Sequence, residues 1–202
     1  MRAHASFRVL LLWLFAIGAS TGGPAALREI LGGLSASFPL PILLVMHIGY
    51  PFGTALAEWL DAQSPLRVAC AVDGEPLPPR GQAKVIMAPP NRHLVLRDGR
   101  LWLTADPERH SCRPSVDVLF ASVARTLGGS AIACLLTGMG RDGAEGLLAV
   151  QRASGLTLAQ DEATSVVFGM PREAIRLGAA HQVLPLSEIA PTLLALAGAP
   201  GV

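Results

Sequence analysis

The feature that most constrains the fold is a regular alternation of short apolar runs with segments of helical spacing. In the segment after His47, for example, the apolar residues stand at positions i, i+4, i+7 and i+8, as on one face of a helix. They are Phe52, Leu56, Trp59 and Leu60. The apolar runs have the length and composition of buried strands. They are "VLLLWLFAI", "PLPILLVMHI", "LRVACAV", "AKVIMAP", "SAIACLLTGM" and "GLTLAQ". Strands that alternate with helices predict an α/β fold with a doubly wound, mainly parallel sheet and helices on both faces.

One segment departs from this alternation and predicts an antiparallel hairpin. "HLVLRDGRLWLT" contains two alternating apolar stretches around Arg97, Asp98 and Gly99, and Asp-Gly accommodates the positive φ of a tight turn. The next segment, "RPSVDVLFASVARTLG", is typical of a capped helix. Ser115 can accept hydrogen bonds from first-turn amides, and Gly128 can end the helix.

Composition narrows the classes of function. The chain has 202 residues, 51% hydrophobic and 15% charged, which is enough for one domain with a substantial core. A net charge of +1 without a long basic run argues against nucleic-acid binding.

Cys70, Cys112 and Cys134 form no C-x-x-C motif, so we expect no zinc site, no disulfide framework and no cofactor. Free cysteines favour a reducing compartment, and we expect a cytoplasmic protein.

The first twenty residues admit two interpretations that exclude each other. Arg2 and Arg8, the run "VLLLWLFAI" and the small residues "GAS" have the outline of a secretory signal. The run is too short to span a bilayer, so we expect no membrane insertion. The same run is also typical of a buried first strand. Cleavage near Ala19 would remove the strand that positions Ser20.

Three polar residues follow predicted strands. Ser20 comes after the first strand, His47 ends "ILLVMH", and Asp142 follows "LLTGMGR". Because ligands of open α/β sheets bind beyond the carboxyl ends of the strands, we expect these side chains on one rim. A serine, a histidine and an aspartate are the components of an activated nucleophile.

Structural roles for the same residues stay open at this point. Ser20 could cap the helix that begins near Pro24, and Asp142 could cap the "AEGLLAVQ" helix. His47 could be a partly buried histidine that is bonded to a carbonyl group.

Two general motifs also overlap the loop at Ser20. "GASTG" matches G-x-S-x-G, but an α/β hydrolase has several strands before its nucleophile and a different triad order, so we reject that fold. Gly18, Gly22 and Gly23 suggest a dinucleotide loop, although their spacing is not G-x-G-x-x-G. His47 stands where the ribose-binding carboxylate would be expected. A nucleotide-binding or regulatory domain is therefore the alternative function, and a secreted serine hydrolase ranks third.

Several longer motifs remain to be explained: "AIGASTGGPAAL", "VMHI", "GQAKVIMAPPNRHLVL", "RPSVDVLFASVA", "LLTGMGRDGAEGL" and "LAQDEATSVVFGMPREAI". Together they resemble the catalytic domain of the CheB-type chemotaxis protein-glutamate methylesterases. The resemblance covers the chain from about Ala16 to about Ala195 and implies that Ser20, His47 and Asp142 are the catalytic triad. It also implies hydrolysis of γ-glutamyl methyl esters on the cytoplasmic helices of chemoreceptors, and in many members deamidation of receptor glutamines.

The resemblance extends to the groups around the triad. It implies that the backbone N–H of Met139 stabilises the oxyanion, and Thr21 with the amides after Ser20 can contribute. Arg113 lies in a segment that approaches the active site in the family, where it could guide an acidic receptor surface; an ordinary solvated loop is the alternative. The segment "RHSCRPSVD" departs from the family pattern "RHRPSVD" by an apparent insertion of Ser111 and Cys112.

The resemblance also implies a domain organisation. We expect an N-terminal extension with the start of strand one over residues 1–15, the methylesterase domain over 16–195 and a tail over 196–202. Typical members carry a receiver domain before the esterase; because the resemblance begins near Ala16, we expect none in this protein if Met1 is its true start. We therefore expect control, if any, by a separate regulatory protein. Methylated chemoreceptor helices are the expected partner, and the protein is expected to be a monomer.

Overall fold

Seven parallel strands form the central sheet of the structure, a computed structural model that describes residues 12–198. In chain order the strands are β1 (Leu14–Ala19), β2 (Ile42–Met46), β3 (Arg67–Cys70), β4 (Lys84–Met87), β5 (His93–Arg97), β6 (Arg100–Thr104), β7 (Ala131–Leu135), β8 (Leu156–Gln160) and β9 (Gln182–Leu184). The sheet has the order β3-β4-β2-β1-β7-β8-β9, and β5 and β6 form a separate two-stranded antiparallel sheet. The predicted parallel sheet and the separate hairpin are confirmed.

Helices cover both faces of the sheet. They are α1 (Gly23–Gly32), α2 (Phe52–Gln63), α3 (Val116–Leu127), α4 (Ala144–Arg152), α5 (Met170–Arg176) and α6 (Leu186–Ala197). Side chains of β1 alternate between two cores, with Phe15 and Ile17 facing α1, α2 and α6, and Leu14 and Ala16 facing α3, α4, α5 and the hairpin. The doubly wound fold class is confirmed.

Strand β1 is the centre of this arrangement. It pairs in parallel with β2 on one side and with β7 on the other, and all six of its residues are buried. The run around Leu14–Ala19 is therefore a strand, as one of its two interpretations predicted; residues 1–11 lie outside the described part. From β1 the chain builds the sheet first toward β2 and later toward β7. Such a switch in direction opens a crevice at the carboxyl ends of the strands.

Local sequence signals account for most element ends. Asp98 and Gly99 take positive φ values of 52° and 70° at the hairpin turn. Ser115 accepts a hydrogen bond from Val118 N–H, and Gly128 follows the last residue of α3, as predicted. Strand β9 was not predicted, because its three residues form an edge strand in which Val183 is 45% exposed.

The C-terminal helix continues past the predicted boundary at residue 195. Helix α6 ends at Ala197, whose side chain is buried in the core. The division into 1–15, 16–195 and 196–202 stays a prediction. Within residues 12–198 we find no helix that combines the length and apolar character needed to cross a membrane.

Candidate active site

The three predicted residues follow β1, β2 and β7, which are neighbours in the sheet. Ala19 is in register with Met46, and the N–H of His47 donates to the carbonyl of Ala19 at 3.1 Å, so Ser20 and His47 leave adjacent strand ends. Asp142 follows β7 on the other side of β1. The rim predicted from strand order is therefore present.

Asp142 is 2% exposed, and four donors surround its carboxylate. Oδ1 accepts from Ser115 Oγ at 2.7 Å and from the Asp117 N–H at 3.1 Å. Oδ2 accepts from the Val116 N–H at 2.7 Å and from His47 Nε2 at 2.8 Å. The backbone donors belong to the first turn of α3, where the helix dipole also favours a negative charge. The carboxylate is thus fixed in position and orientation.

Small residues allow α3 to begin this close to the sheet. A Cβ on Gly18 would lie 2.2 Å from Val116 Cγ1, so only glycine lets the start of α3 approach β1. Gly143 would meet Val116 in the same way and has a φ of +91°, which glycine adopts without strain. The helix N-terminus reaches Asp142 because both positions lack a side chain.

The sequence left open that Ser20 caps α1 and that Asp142 caps α4, and the structure shows neither of these caps. Helix α1 has Gly22 at its N-cap and α4 has Gly143, and neither receives a hydrogen bond from a capping side chain. Ser20 therefore does not cap α1. Asp142 binds the N-terminus of α3 instead of that of α4. Helix α3 is distant from Asp142 in the sequence but close to it in space.

His47 is partly buried and is held by Asp142 rather than by a carbonyl group. Burial acts to lower the pKa of His47, but the hydrogen bonds with Asp142 and Cys112 outweigh it and raise this pKa to about 9. Since Nε2 donates to Asp142, Nδ1 is the nitrogen left for chemistry.

The pKa of Asp142 moves in the opposite direction. Burial acts to raise it, but the hydrogen bonds from His47, Ser115 and Val116 outweigh burial and hold the pKa of Asp142 below its usual range. An ionised Asp142 beside a protonated His47 is therefore the stable state at neutral pH.

Cys112 is a site residue that sequence reasoning missed. Its Sγ lies 3.8 Å from His47 Nδ1 and donates to the carbonyl of His110 at 3.3 Å. Cys112 and His47 are 65 residues apart, and no short motif joins them. Its place in an apparent insertion before the "RPSVD" segment was the available signal.

Ser20 lies at the same rim, but its hydroxyl is not bonded to the imidazole. Its N–H donates to the carbonyl of Thr137 at 3.0 Å, and a Cβ on Gly138 would lie 2.7 Å from Ser20 Cβ. Across residues 12–198, no side-chain hydrogen bond involves Ser20 Oγ. The structure joins His47 to Asp142, and the Ser20 hydroxyl has no hydrogen-bond partner among the described residues.

Met139 and Thr21 lie on the two loops that flank Ser20. Neighbouring Gly138 is tied to the 167–170 segment: its N–H donates to Val167, and its carbonyl accepts from Gly169 and Met170. The N–H groups of Met139 and Thr21 have no protein acceptor among the described residues. They are available to a ligand.

Arg113 uses its guanidinium on the protein itself. Nε and Nη2 donate to Asn91 Oδ1 at 2.9 and 2.7 Å, and Nη1 donates to the carbonyls of Ala105 and Asp106. These bonds join two loops beside the site. A substrate contact for Arg113 stays a prediction.

Two groups of side chains have the composition of metal ligands. His47, Cys112 and Asp142 have ligand atoms within 4.8 Å of one another, and so do His110, Asp117 and Glu145. The second group already contains a cation: the guanidinium of Arg109 lies 2.6 Å from Glu145 and 3.4 Å from Asp117. This positive charge disfavours a metal ion there.

Two cavities open on the site. One of about 800 Å³ is lined by Asp142 and Cys112 together with Met139, Val167 and Phe168. Another of about 300 Å³ is lined by His47 and Cys112. Cys112 lies between them, and the larger one has the size of a ligand pocket.

The comparisons with known proteins agree on one family. Residues 15–193 match the family model described as CheB methylesterase. The chain is 50% identical over 186 residues to protein-glutamate methylesterase/protein-glutamine glutaminase 2 of Cupriavidus metallidurans, covering 92% of this chain and 54% of that protein. It is 49% identical over 178 residues to the methylesterase/glutaminase of the group 3 operon of Pseudomonas putida, covering 88% and 52%. The chain thus spans about half the length of these curated relatives.

A solved structure extends the agreement to three dimensions. The crystal structure of the CheB methylesterase catalytic domain from Thermotoga maritima superposes with a TM-score of 0.86 at 37% identity, covering 92% of this chain and 98% of that one. These findings support the methylesterase interpretation and not the nucleotide-binding alternative. The chain belongs to the CheB methylesterase family.

Proposed function

We propose that this protein hydrolyses γ-glutamyl methyl esters of chemoreceptors, with Ser20 as nucleophile, His47 as general base and Asp142 as the group that orients His47. The observation that carries the proposal is the 2.8 Å contact between His47 and a buried, four-times bonded Asp142, next to Ser20 on the adjacent strand end. Membership of the CheB methylesterase family supplies the reaction class.

In the first step the Ser20 hydroxyl loses its proton to His47 Nδ1, because Nε2 is bonded to Asp142. The Ser20 oxygen attacks the ester carbonyl carbon, and methanol leaves with the proton from the imidazole. The Ser20–His47 contact forms when substrate binds, since catalytic hydrogen bonds are often long or poorly aligned without it.

In the second step water replaces methanol. His47 accepts a proton from the water, which attacks the acyl carbon, and the bond to the Ser20 oxygen then breaks as His47 returns that proton to it, which releases the glutamate product and restores the Ser20 hydroxyl. The free N–H groups of Met139 and Thr21 are the proposed donors to the oxyanion in both steps. Each such donor is typically worth about 3 kcal/mol in the transition state.

The larger cavity suits a methylated glutamate on an acidic helix. Met139, Val167 and Phe168 provide apolar wall for the methyl ester. Arg141 and Arg172 also line the cavity, beside the carboxylates of Asp142 and Glu173, and the two guanidinium groups are the ones that can pair with acidic residues around the modified glutamate. Receptor glutamines present the same kind of carbonyl with an amide nitrogen that leaves as ammonia after it takes the proton from His47, so deamidation at the same site is part of the proposal.

We extend the proposal to the wider setting of the reaction. The protein acts in the cytoplasm on methylated receptor helices, as a monomer whose domain spans 16–195. A separate regulatory protein controls its activity. Size-exclusion chromatography with light scattering tests the monomer directly.

The test of the function is methanol release from methylated receptor membranes. Wild-type protein is expected to release methanol, and Ser20→Ala is expected to lose about 10⁴-fold or more in kcat, as serine enzymes do without their nucleophile. Ser37→Ala is the matched control, because Ser37 is exposed and bonds only within its own loop. Undiminished methanol release by Ser20→Ala would overturn the assignment.

A further inference from the structure

We propose that Cys112 and His47 form a binding site for a soft divalent cation of the zinc type, and that the bound ion blocks the esterase. The binding part stands on the geometry alone. The inhibitory part rests on the proposed function, since it requires that His47 Nδ1 accepts the Ser20 proton.

The distance between the two ligand atoms fits one metal ion. Zn²⁺ binds thiolate sulfur at about 2.3 Å and imidazole nitrogen at about 2.0 Å, so tetrahedral ligands of these types stand about 3.6 Å apart. Cys112 Sγ and His47 Nδ1 are 3.8 Å apart. Thiolate and imidazole are also the donor types that zinc prefers.

Asp142 supplies the support that metal-binding histidines usually have. A histidine ligand commonly donates its other ring N–H to a carboxylate, which fixes the ring and raises the basicity of the ligating nitrogen. His47 Nε2 bonds to Asp142 Oδ2 at 2.8 Å, and the remaining donors on Asp142 hold that carboxylate in place. The imidazole is therefore oriented with Nδ1 toward Cys112.

Cys112 is also held in place, by a tight turn. Arg109 and Cys112 exchange two backbone hydrogen bonds of 3.2 and 2.9 Å, and the residues between them, His110 and Ser111, have φ values of 52° and 60°. Two central residues of positive φ are the mark of a type I′ turn. Arg109 anchors this turn to α4 through Glu145. Little loop ordering is then needed to bind the ion.

The site is open to solvent and has room for further ligands. Cys112 is half-buried and lines both the cavity of about 800 Å³ and that of about 300 Å³. Water can complete the coordination of the ion. Binding displaces two protons to solvent, the thiol proton of Cys112 and the Nδ1 proton of the protonated His47 imidazole, and leaves the sulfur as thiolate. With its lone pair on the metal, Nδ1 no longer accepts the proton of Ser20.

The experiment measures binding separately from activity. Zn²⁺ affinity is determined by competition with a colorimetric chelator, using untagged wild-type protein and the variants Cys112→Ser, Cys70→Ser and Ser20→Ala. Cys70 lies on β3, separated from β2 by β4, and is the matched thiol control. Methanol release is measured in parallel with added Zn²⁺, with Mg²⁺ as the hard-cation control, and after addition of EDTA.

We expect Cys112→Ser to weaken Zn²⁺ binding at least about tenfold, the scale on which the loss of even an outer-shell partner acts. Cys70→Ser and Ser20→Ala should bind as wild type does. Zn²⁺ should inhibit wild-type turnover reversibly, whereas Mg²⁺ should not, and Cys112→Ser should need about tenfold more Zn²⁺ for the same inhibition.

Equal Zn²⁺ affinity of wild type and Cys112→Ser overturns the site. Cys112-dependent binding without inhibition of an active enzyme overturns the inhibitory role. If wild type releases no methanol, the proposed function fails, but Cys112-dependent binding by both wild type and Ser20→Ala still supports the site.

Discussion

The two sides of the candidate active site differ in how completely they are assembled. On one side the Asp142 carboxylate has four donors, among them Ser115 and His47, and is buried against the start of α3. On the other side the Ser20 hydroxyl has no side-chain hydrogen bond to any residue from 12 to 198. The base and its orienting group are therefore pre-assembled, and the nucleophile is not.

This difference separates groups that contribute to folding from groups that serve chemistry alone. Asp142 satisfies backbone N–H groups that α3 would otherwise leave unpaired, so it also stabilises the fold. Ser20 contributes no comparable bond. Substitutions on the two sides should therefore differ in their effect on stability even where both abolish turnover.

Of the changes that test this difference, Asp142→Asn is expected to have the largest effect, because it should lower both kcat and the free energy of unfolding. The amide group of asparagine turns a donor toward His47 or toward the α3 amides, so kcat should fall about 10³–10⁴-fold. Stability should fall by about 2–4 kcal/mol, because buried donors lose their acceptor. Methanol release and urea unfolding measure the two effects. Ser20→Ala, assayed alongside, should have the same free energy of unfolding as wild type. Equal losses of stability in the two variants would contradict the claim that Asp142 stabilises the fold and Ser20 does not.

A change of pH is expected to have a smaller effect, which appears in kcat/KM. The pKa of His47 is raised to about 9, so its neutral form, the base, is scarce at pH 7 and reaches half at pH 9. We expect kcat/KM to rise roughly 50-fold between these values, measured with EDTA present so that bound metal does not contribute. A profile already flat above pH 7 would contradict the raised pKa of His47.

The same profile in Cys112→Ser tests how far Cys112 sets this pKa. The hydrogen bond and charge interaction with Cys112 raise the pKa of His47, and their loss should move the rise in kcat/KM to lower pH. Each unit of that shift would increase the neutral fraction at pH 7 about tenfold. An unshifted profile would leave Asp142 as the main cause of the raised pKa.

Ser115→Ala is expected to have the smallest effect on kcat and on the free energy of unfolding. This change removes the N-cap bond to Val118 and the 2.7 Å bond to Asp142 Oδ1, while the backbone donors to Asp142 remain. We expect a loss of about 1–2 kcal/mol in the free energy of unfolding, measured by urea denaturation, with kcat reduced by about tenfold or less. A loss of turnover as large as that of Asp142→Asn would show that Ser115 positions His47 as well.

Sequence predicted the parts of the site that depend on strand order. Apolar runs and helical spacing place Ser20, His47 and Asp142 after strands of a parallel sheet, and the carboxyl ends of such strands lie on one edge. The hairpin and the caps of α3 were also predictable, because Asp-Gly and Ser115 act within their own segments.

Contacts between distant segments were not predictable from the sequence. Nothing in its local sequence indicates that Asp142 binds the start of α3 rather than of α4, since this depends on the close approach that Gly18 and Gly143 allow. Cys112 faces His47 only because a turn of positive φ carries it there. Strand β9 forms because its backbone pairs with β8, although its own residues are largely exposed.

The most direct test of the central claim is to map where a fluorophosphonate probe, which labels activated serines, attaches to the protein. Mass spectrometry of the digested adduct should find the label on Ser20, and labelling should fall sharply in His47→Ala. Labelling of another residue, or equal labelling of Ser20 without His47, would contradict the claim that His47 activates Ser20.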